Sequence, residues 1–220
     1  MQILSEITSI TALGAAIVAL VVGLYLFYLW NQQDVQMYYD LPFLFGITFI
    51  AMFLNLIIQS LPGFGIIEYS LLLFKIRTLV IFGTVFPLLA AILIIWFMRY
   101  QRYHNKILAA LAIYWFVIDI FGTDEALIMI LLIPIVFIII LGLIATFLVT
   151  WRTNRLKEVR SDLLVLSLIS LIISQAGGVA LRSMNLDWIV YLINAIATLL
   201  AAISFANPWY RRNLDKKQNP

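Results

Sequence analysis

The chain has 220 residues, of which 64% are hydrophobic and only 11% charged, with a mean hydropathy of +1.05. A water-soluble domain carries about a quarter charged residues, so this composition excludes a water-covered globule and makes lipid the main solvent. The net charge of +3 reads as anchoring at one membrane face rather than nucleic-acid binding, and the absence of cysteine excludes disulfides, thiolate catalysis and iron–sulfur clusters.

The first residues, Met1 to Glu6, carry no basic n-region, and the apolar run behind them is long enough to cross a membrane; a cleavable signal peptide is not expected. Seven apolar runs then predict an all-α polytopic bundle over residues 1–206, followed by a short basic tail over 207–220. They are Ile7–Trp30, Leu41–Ser60, Thr78–Met98, Ile107–Phe121, Ala126–Trp151, Leu163–Leu181 and Trp188–Phe205. Roughly 20 residues are needed to cross a ~30 Å hydrocarbon layer. The fourth run is short, at about 15, and must borrow its flanks or sit upright in thinned bilayer. The runs are continuous rather than alternating, which selects helices over barrel strands.

Basic residues set the orientation. Arg99, Arg102 and Lys106 lie between spans three and four, Arg152, Arg155, Lys157 and Arg160 between five and six, and Arg211, Arg212, Lys216 and Lys217 in the tail. These share one side, against Lys75, Arg77 and Arg182 on the other. The positive-inside rule places the tail in the cytoplasm and the N-terminus outside. The loop Asn31 to Asp40 departs from this pattern in having no basic residue. Tyr38, Tyr39, Trp96, Tyr100, Tyr103, Trp151, Trp188, Trp209 and Tyr210 fall near span ends, where amphipathic rings prefer the interface.

Depth singles out the polar residues. Arg77 precedes Arg99 by 22 residues, about 33 Å at ~1.5 Å per residue, so Arg77 sits at the outer boundary and can snorkel. The third helix could also continue upward through the apolar stretch before it, with Glu68, Lys75 and Arg77 lining an outer vestibule and Glu68 and Lys75 sharing a face. Asp119 lies 13 residues beyond Lys106, about 20 Å into the slab, with Asp124 further out. An intramembrane carboxylate is costly unless paired or hydrated; the alternative is that a short fourth helix lets Asp119 reach the outer interface. Asn55, Gln59, Gln175 and Asn194 also fall in the middle or outer half. Two readings follow: interhelical hydrogen bonds, worth about 0.6 kcal/mol each, or an outward-opening ligand pocket built from Asn55, Gln59, Arg77, Asp119, Gln175 and Asn194.

The inner half offers little beyond serine and threonine, expected to bond back to their own helices. With no titrating groups at successive depths, a pump or channel is disfavoured. His104, the one histidine, lies in a basic loop, which rules out bis-histidine haem and histidine-rich metal sites. Paired intramembrane aspartates and a serine beside a membrane histidine are missing, so no enzyme, metal or cofactor is expected. Pro87 and Pro134 would kink spans three and five, and Gly177–Gly178 would allow close helix packing.

The layout of seven helices with an outside N-terminus resembles microbial opsins. The likeness is carried by ALGAAIVALVVGLYLF (residues 12–27) and by the run from Arg77 to TVFPLLAAILI (residues 84–94). An opsin requires a lysine midway along helix seven for its retinal Schiff base. Here NAIATLLAAIS offers Asn194 and Thr198, no lysine lies between Lys157 and Lys216, and LVLSLISLIISQAGG lacks a retinal-binding aromatic set. Covalent retinal is thereby excluded. The segment LRSMNLDWIVYLINAIATLLAAISFANPWYRR, with its stop at Asn207, Pro208, Trp209, Tyr210, Arg211 and Arg212, resembles the end of seven-helix sensor modules in prokaryotic, especially archaeal, receptors. MRYQRYH and NPWY are similar to cytoplasmic helix ends of G-protein-coupled receptors. The resemblance implies a receptor or sensor in the cell membrane. It would take a small ligand or lipid from outside and signal to a separate cytoplasmic partner. Arg99, Arg102, Arg152, Arg155 and Arg160 would meet that partner or anionic lipid. A structural subunit packed among other membrane subunits is the rival expectation, and a small-molecule transporter the third.

Overall fold

The computed structural model describes residues 2–33, 35–97, 100–156, 159–184 and 186–207, with the backbone alone at 2–5, 101, 175–180, 182 and 183. Seven helices make up nearly all of it: α1 (Gln2–Asn31), α2 (Leu41–Ser60), α3 (Leu71–Trp96), α4 (Gln101–Phe121), α5 (Glu125–Thr153), α6 (Ser161–Ser183) and α7 (Asp187–Ala206). Six of them are long and apolar enough to cross a membrane, and α6 contributes a shorter apolar stretch, Ser161–Ser174. The chain is an all-α, membrane-integral protein.

Local chemistry sets the helix ends. Asp40 precedes α2 with a proline in the first turn, where a missing N–H costs nothing. Ser70 accepts from the Leu73 amide at the start of α3, and Asp124 from the Leu127 amide at the start of α5; each satisfies a donor that the first turn leaves open. Asn154 and Asn207 close α5 and α7 in the left-handed region, with φ of 50° and 33°, a conformation asparagine tolerates.

The fourth helix borrows its N-terminal flank, as its short apolar run requires: it has 21 residues, from Gln101 to Phe121, and one expectation about the third is corrected. The third helix begins at Leu71, after the Ser70 cap, so Glu68 precedes it and shares no helical face with Lys75.

The helices pack in chain order and α1 closes the ring on α7, while α3 also touches α5. Contacts at the two ends show which helix termini lie together. At one end the Arg160 amide donates to the Ser204 carbonyl, and the Trp96 indole to Thr146 Oγ1 at 2.7 Å. At the other, Gln59 Nε2 donates to the Tyr191 hydroxyl and Tyr69 to Glu125. Arg102, Lys106, Arg152, Arg155 and Arg160 all fall at the first, basic end. Arg99, Lys157, Lys216, Lys217 and the stop from Pro208 to Arg212 lie outside the described residues.

Packing divides the ring into two parts. One core joins Val22, Leu26, Phe45, Phe49, Phe147, Leu164, Leu168, Ala201 and Phe205 across α1, α2, α5, α6 and α7, and continues toward the other end through Ala12, Ala15, Ala16, Leu56 and Tyr191. The second joins Phe74, Val85, Leu111, Trp115, Ile118, Ile128, Leu132 and Ile139 across α3, α4 and α5. The α4–α5 corner is tight. A Cβ on Gly122 would lie 2.7 Å from the Ile118 carbonyl oxygen and against Ile128, whereas a Cβ on Gly14 meets nothing within 4 Å. Gly122→Ala should therefore destabilise the protein by about 1–3 kcal/mol, the usual cost of overpacking. Gly14→Ala, in mid-helix, should be neutral or stabilising by up to about 1 kcal/mol; thermal unfolding in detergent compares them.

Candidate functional site

The polar residues of the end opposite the basic one form separate interhelical pairs. Arg77 Nε donates to Asn55 Oδ1 at 3.3 Å, tying α3 to α2. Gln59 ties α2 to α7 through the Tyr191 hydroxyl at 2.6 Å. Asp119, in the last turn of α4 but only 2% exposed, is hydrogen-bonded to the Thr78 hydroxyl on α3. The Trp115 indole donates to the Thr78 carbonyl at 3.0 Å, and Lys75 Nζ caps the Ile120 carbonyl at 3.0 Å. Asn194 Oδ1 accepts from Ser174 at 2.8 Å, joining α7 to α6. Of the six residues expected to form one outward pocket, Arg77 and Asn55 are bonded to each other, while the bonds described above for Asp119, Gln59 and Asn194 join other helix pairs. The Gln175 side chain and the Gly177–Gly178 packing surface lie outside the described residues.

The serines and threonines of the inner half do more than bond back to their own helices. Ser167 Oγ donates to the Ala197 carbonyl at 2.7 Å, Ser174 lies 3.2 Å from the Val190 carbonyl, and the Arg160 amide reaches the Ser204 carbonyl at 3.0 Å. Ser204 Oγ returns a bond to the Arg160 carbonyl at 2.7 Å. Seven residues forward on α6 match seven residues back on α7 at each step. Thr150 and Ser161 add a hydroxyl pair at 3.1 Å between α5 and α6. Facing backbone carbonyls within reach, the hydroxyls satisfy them across the seam, because the small residues Ala197, Ala201 and Ser204 let the helices approach closely. The heptad spacing of Ser167 and Ser174 was the available sequence signal.

A cavity of about 670 Å³ lies where α2, α3 and α4 meet at the basic end, within the ~300–1,000 Å³ range of small-molecule sites. Along α3 its wall is Gly83, Pro87, Ala90 and Ile94, four positions on one helical face whose first three carry little or no side-chain volume. Phe43, Leu44, Ile47, Phe82, Phe86, Leu93 and Leu108 complete the apolar lining, and Tyr38, Tyr39, His104 and Asn105 form the polar mouth. Pro87 has no N–H, so the Gly83 carbonyl one turn below lacks its usual intrahelical donor at the cavity wall. None of Asn55, Gln59, Arg77, Asp119 and Asn194 lines this cavity. Its aromatic and small residues were legible as a proline kink and interfacial tyrosines, but not as one site, because they come from three helices.

The basic residues lie at the same end, outside the cavity lining. Arg102 and Lys106 stand over the Tyr103 ring, at 4.9 and 5.7 Å from its centroid. Arg152 and Arg155 are exposed. Arg160 is engaged by Asp162, with Nε donating to Oδ1 at 2.8 Å, a bond that raises the guanidinium pKa above its ordinary value. Among the described residues no group of three histidine, cysteine or acidic side chains is placed to hold a metal ion. No known protein family, curated protein or solved structure matches the chain.

If the seams are structural, their residues should behave as helix glue. Ser167→Ala should cost about 0.6 kcal/mol, the average for an intramembrane hydrogen bond. Asp119→Leu, which removes a tie between α4 and α3 but leaves the Thr78 hydroxyl its bond to the Lys75 carbonyl at 2.8 Å, should cost at least as much, about 0.6–1.5 kcal/mol. Equal and negligible effects in detergent unfolding would contradict this assignment.

Proposed function

We propose that the chain is a receptor- or sensor-type protein of the cell membrane, with seven spans, its N-terminus outside and its basic end in the cytoplasm. It takes a small apolar ligand or lipid in the α2–α3–α4 cavity and passes occupancy to a separate partner through Arg102, Arg152, Arg155 and Arg160. The observation that carries this reading is the cavity itself: a half-open, largely apolar concavity with a few polar groups at one rim, a form that ligand sites often take. Its wall contains the backbone position that Pro87 weakens, so filling it acts on α3 where that helix can bend. Its α4 wall is His104, Asn105 and Leu108, on the helix whose other face carries Arg102, so a movement of α4 reaches the partner-facing surface. The likeness to seven-helix sensor modules supports the same reading, with no catalytic step and no retinal.

A structural subunit of a larger membrane complex is the second reading. It is favoured by the outward faces of α4 and α5, where Ile113, Phe116, Val117, Ile120, Ile130, Ile133, Phe137 and Ile138 are all exposed. Purification from the native membrane in mild detergent, followed by native mass spectrometry, separates the two. The receptor reading predicts a particle of this chain alone or in copies, carrying a small molecule that is lost in Ala90→Leu. Stoichiometric co-elution with other membrane subunits, and no bound molecule, would overturn it.

A further inference from the structure

Resting on the reading of the α2–α3–α4 cavity as a ligand site, we infer that its occupant is an uncharged glycerolipid taken sideways from the leaflet at the basic end. One acyl chain lies along α3, and the hydroxyl-bearing head sits among Tyr38, Tyr39, His104 and Asn105. The direction in which the groove opens is the first support. On α2, Ile47 lines it, while Phe45 and Phe49, two residues to either side, belong to the larger core; residues two apart on a helix point about 200° apart. On α3, Phe86, Ala90 and Ile94 line it, while Leu88 and Ile92, spaced two residues from these, pack against both cores. The groove therefore lies on the face turned away from the bundle, where lipid is the neighbour. Its floor from Gly83 to Ile94 covers 11 steps, about 16 Å at ~1.5 Å per residue, or one leaflet of a ~30 Å hydrocarbon core.

The walls are the second support. Phe43, on the α2 wall, is held by Phe27, Trp30 and Tyr38, with ring centroids 5.6, 4.7 and 5.6 Å away. Phe82, on the α3 wall, is held by Phe86, Trp115 and Phe116 at 5.1, 5.7 and 5.6 Å. Rings braced by other rings do not swing in to fill the space over Gly83, Pro87 and Ala90, so the groove stands open for an apolar chain. The chemistry of the rim selects the head. Among the described residues, no lysine, arginine, aspartate or glutamate lines the cavity. Arg102 and Lys106 lie two residues before and after His104, on the opposite face of α4, and Asp40 accepts from the Met37 amide within its own loop at 2.9 Å. An ionised head would give up water here without gaining a countercharge. The tyrosine hydroxyls and the Asn105 amide both donate and accept. His104 Nε2 donates to the Phe97 carbonyl at 2.9 Å, which leaves Nδ1 of the neutral ring as an acceptor for a hydroxyl.

The test uses the intact chain, delipidated in mild detergent, with thermal unfolding followed during titration with dioleoylglycerol or with dioleoyl phosphatidic acid, which has the same chains and adds a phosphate to the head. The wild type should be stabilised saturably by dioleoylglycerol, with a half-saturation about tenfold or more below that of phosphatidic acid. Asn105→Leu should raise the half-saturation for dioleoylglycerol about fivefold, the loss of one neutral hydrogen bond; an unchanged value would overturn the rim as the place of the head. Ala90→Leu should abolish the response, and Ile94→Trp serves the same purpose if Ala90→Leu does not fold. An equal or stronger response to phosphatidic acid in the wild type would overturn the uncharged head while leaving an apolar ligand site. A dioleoylglycerol response that survives both cavity-filling substitutions would place the lipid elsewhere on the surface and overturn the groove. No stabilisation by either lipid would overturn the lipid inference, and if native particles also carry no small molecule, the ligand-site reading falls with it.

Discussion

The bundle depends on one requirement: polar atoms within hydrocarbon must find partners in protein. The α6–α7 seam meets it repeatedly, with Arg160, Ser167 and Ser174 facing Ser204, Ala197 and Val190. A slip of α7 by one residue would turn Ser167 and Ser174 from carbonyls to apolar side chains and bring Asn194 out of reach of its partner. Each bond is individually weak, but they act in the same register and fix both the vertical position and the facing of α7. From α7 the order spreads to α1, whose Ala12, Ala15, Ala16 and Ala19 are nearly fully buried, and through Gly23 and Gly46 to α2, where Ile50 and Phe27 fill the space the missing side chains leave.

The other half is built differently. Helix α4 leans mainly on α3 and contributes few buried residues, chiefly Leu111, Trp115, Ile118 and Asp119. Those residues are concentrated toward the end opposite the basic one, where the Trp115, Asp119 and Lys75 bonds pin α4 to α3. Toward the basic end no comparable set of bonds joins α4 to α3 among the described residues, and the small side chains of α3 leave the cavity. The cavity is therefore a consequence of where the polar ties are placed: tight at one end of α3 and α4, open at the other.

Much of the architecture is legible in the sequence because a bilayer fixes helix length and basic residues fix their ends. The runs Leu41–Ser60 and Ala126–Trp151 give α2 and α5 nearly to the residue. Helix α4 is longer than its apolar run because polar residues such as Gln101 and Arg102 can continue a helix into water, and a hydropathy pattern does not register that extension. The site is less legible. Asn55, Gln59, Arg77, Asp119 and Asn194 stand out because each is polar where lipid is expected, yet depth alone cannot say which helix a side chain faces; the structure assigns them to four different seams. The cavity was hidden for the opposite reason, since Gly83, Pro87 and Ala90 are defined by volume they lack, and a missing volume becomes a space only once α2 and α4 are placed around it.

The position of the cavity at the basic end follows from the alternation and register of the helices, and the cysteine-free sequence allows that register to be probed directly. Paired substitutions Ser167→Cys with Ala197→Cys should form a disulfide on mild oxidation in the membrane. Ser167→Cys with Val190→Cys, displaced by seven residues or about 10 Å along α7, should not, because a disulfide needs its Cα atoms within about 7 Å. Cross-linking of the displaced pair, with none in the first, would contradict the register and with it the placement of every seam and of the cavity.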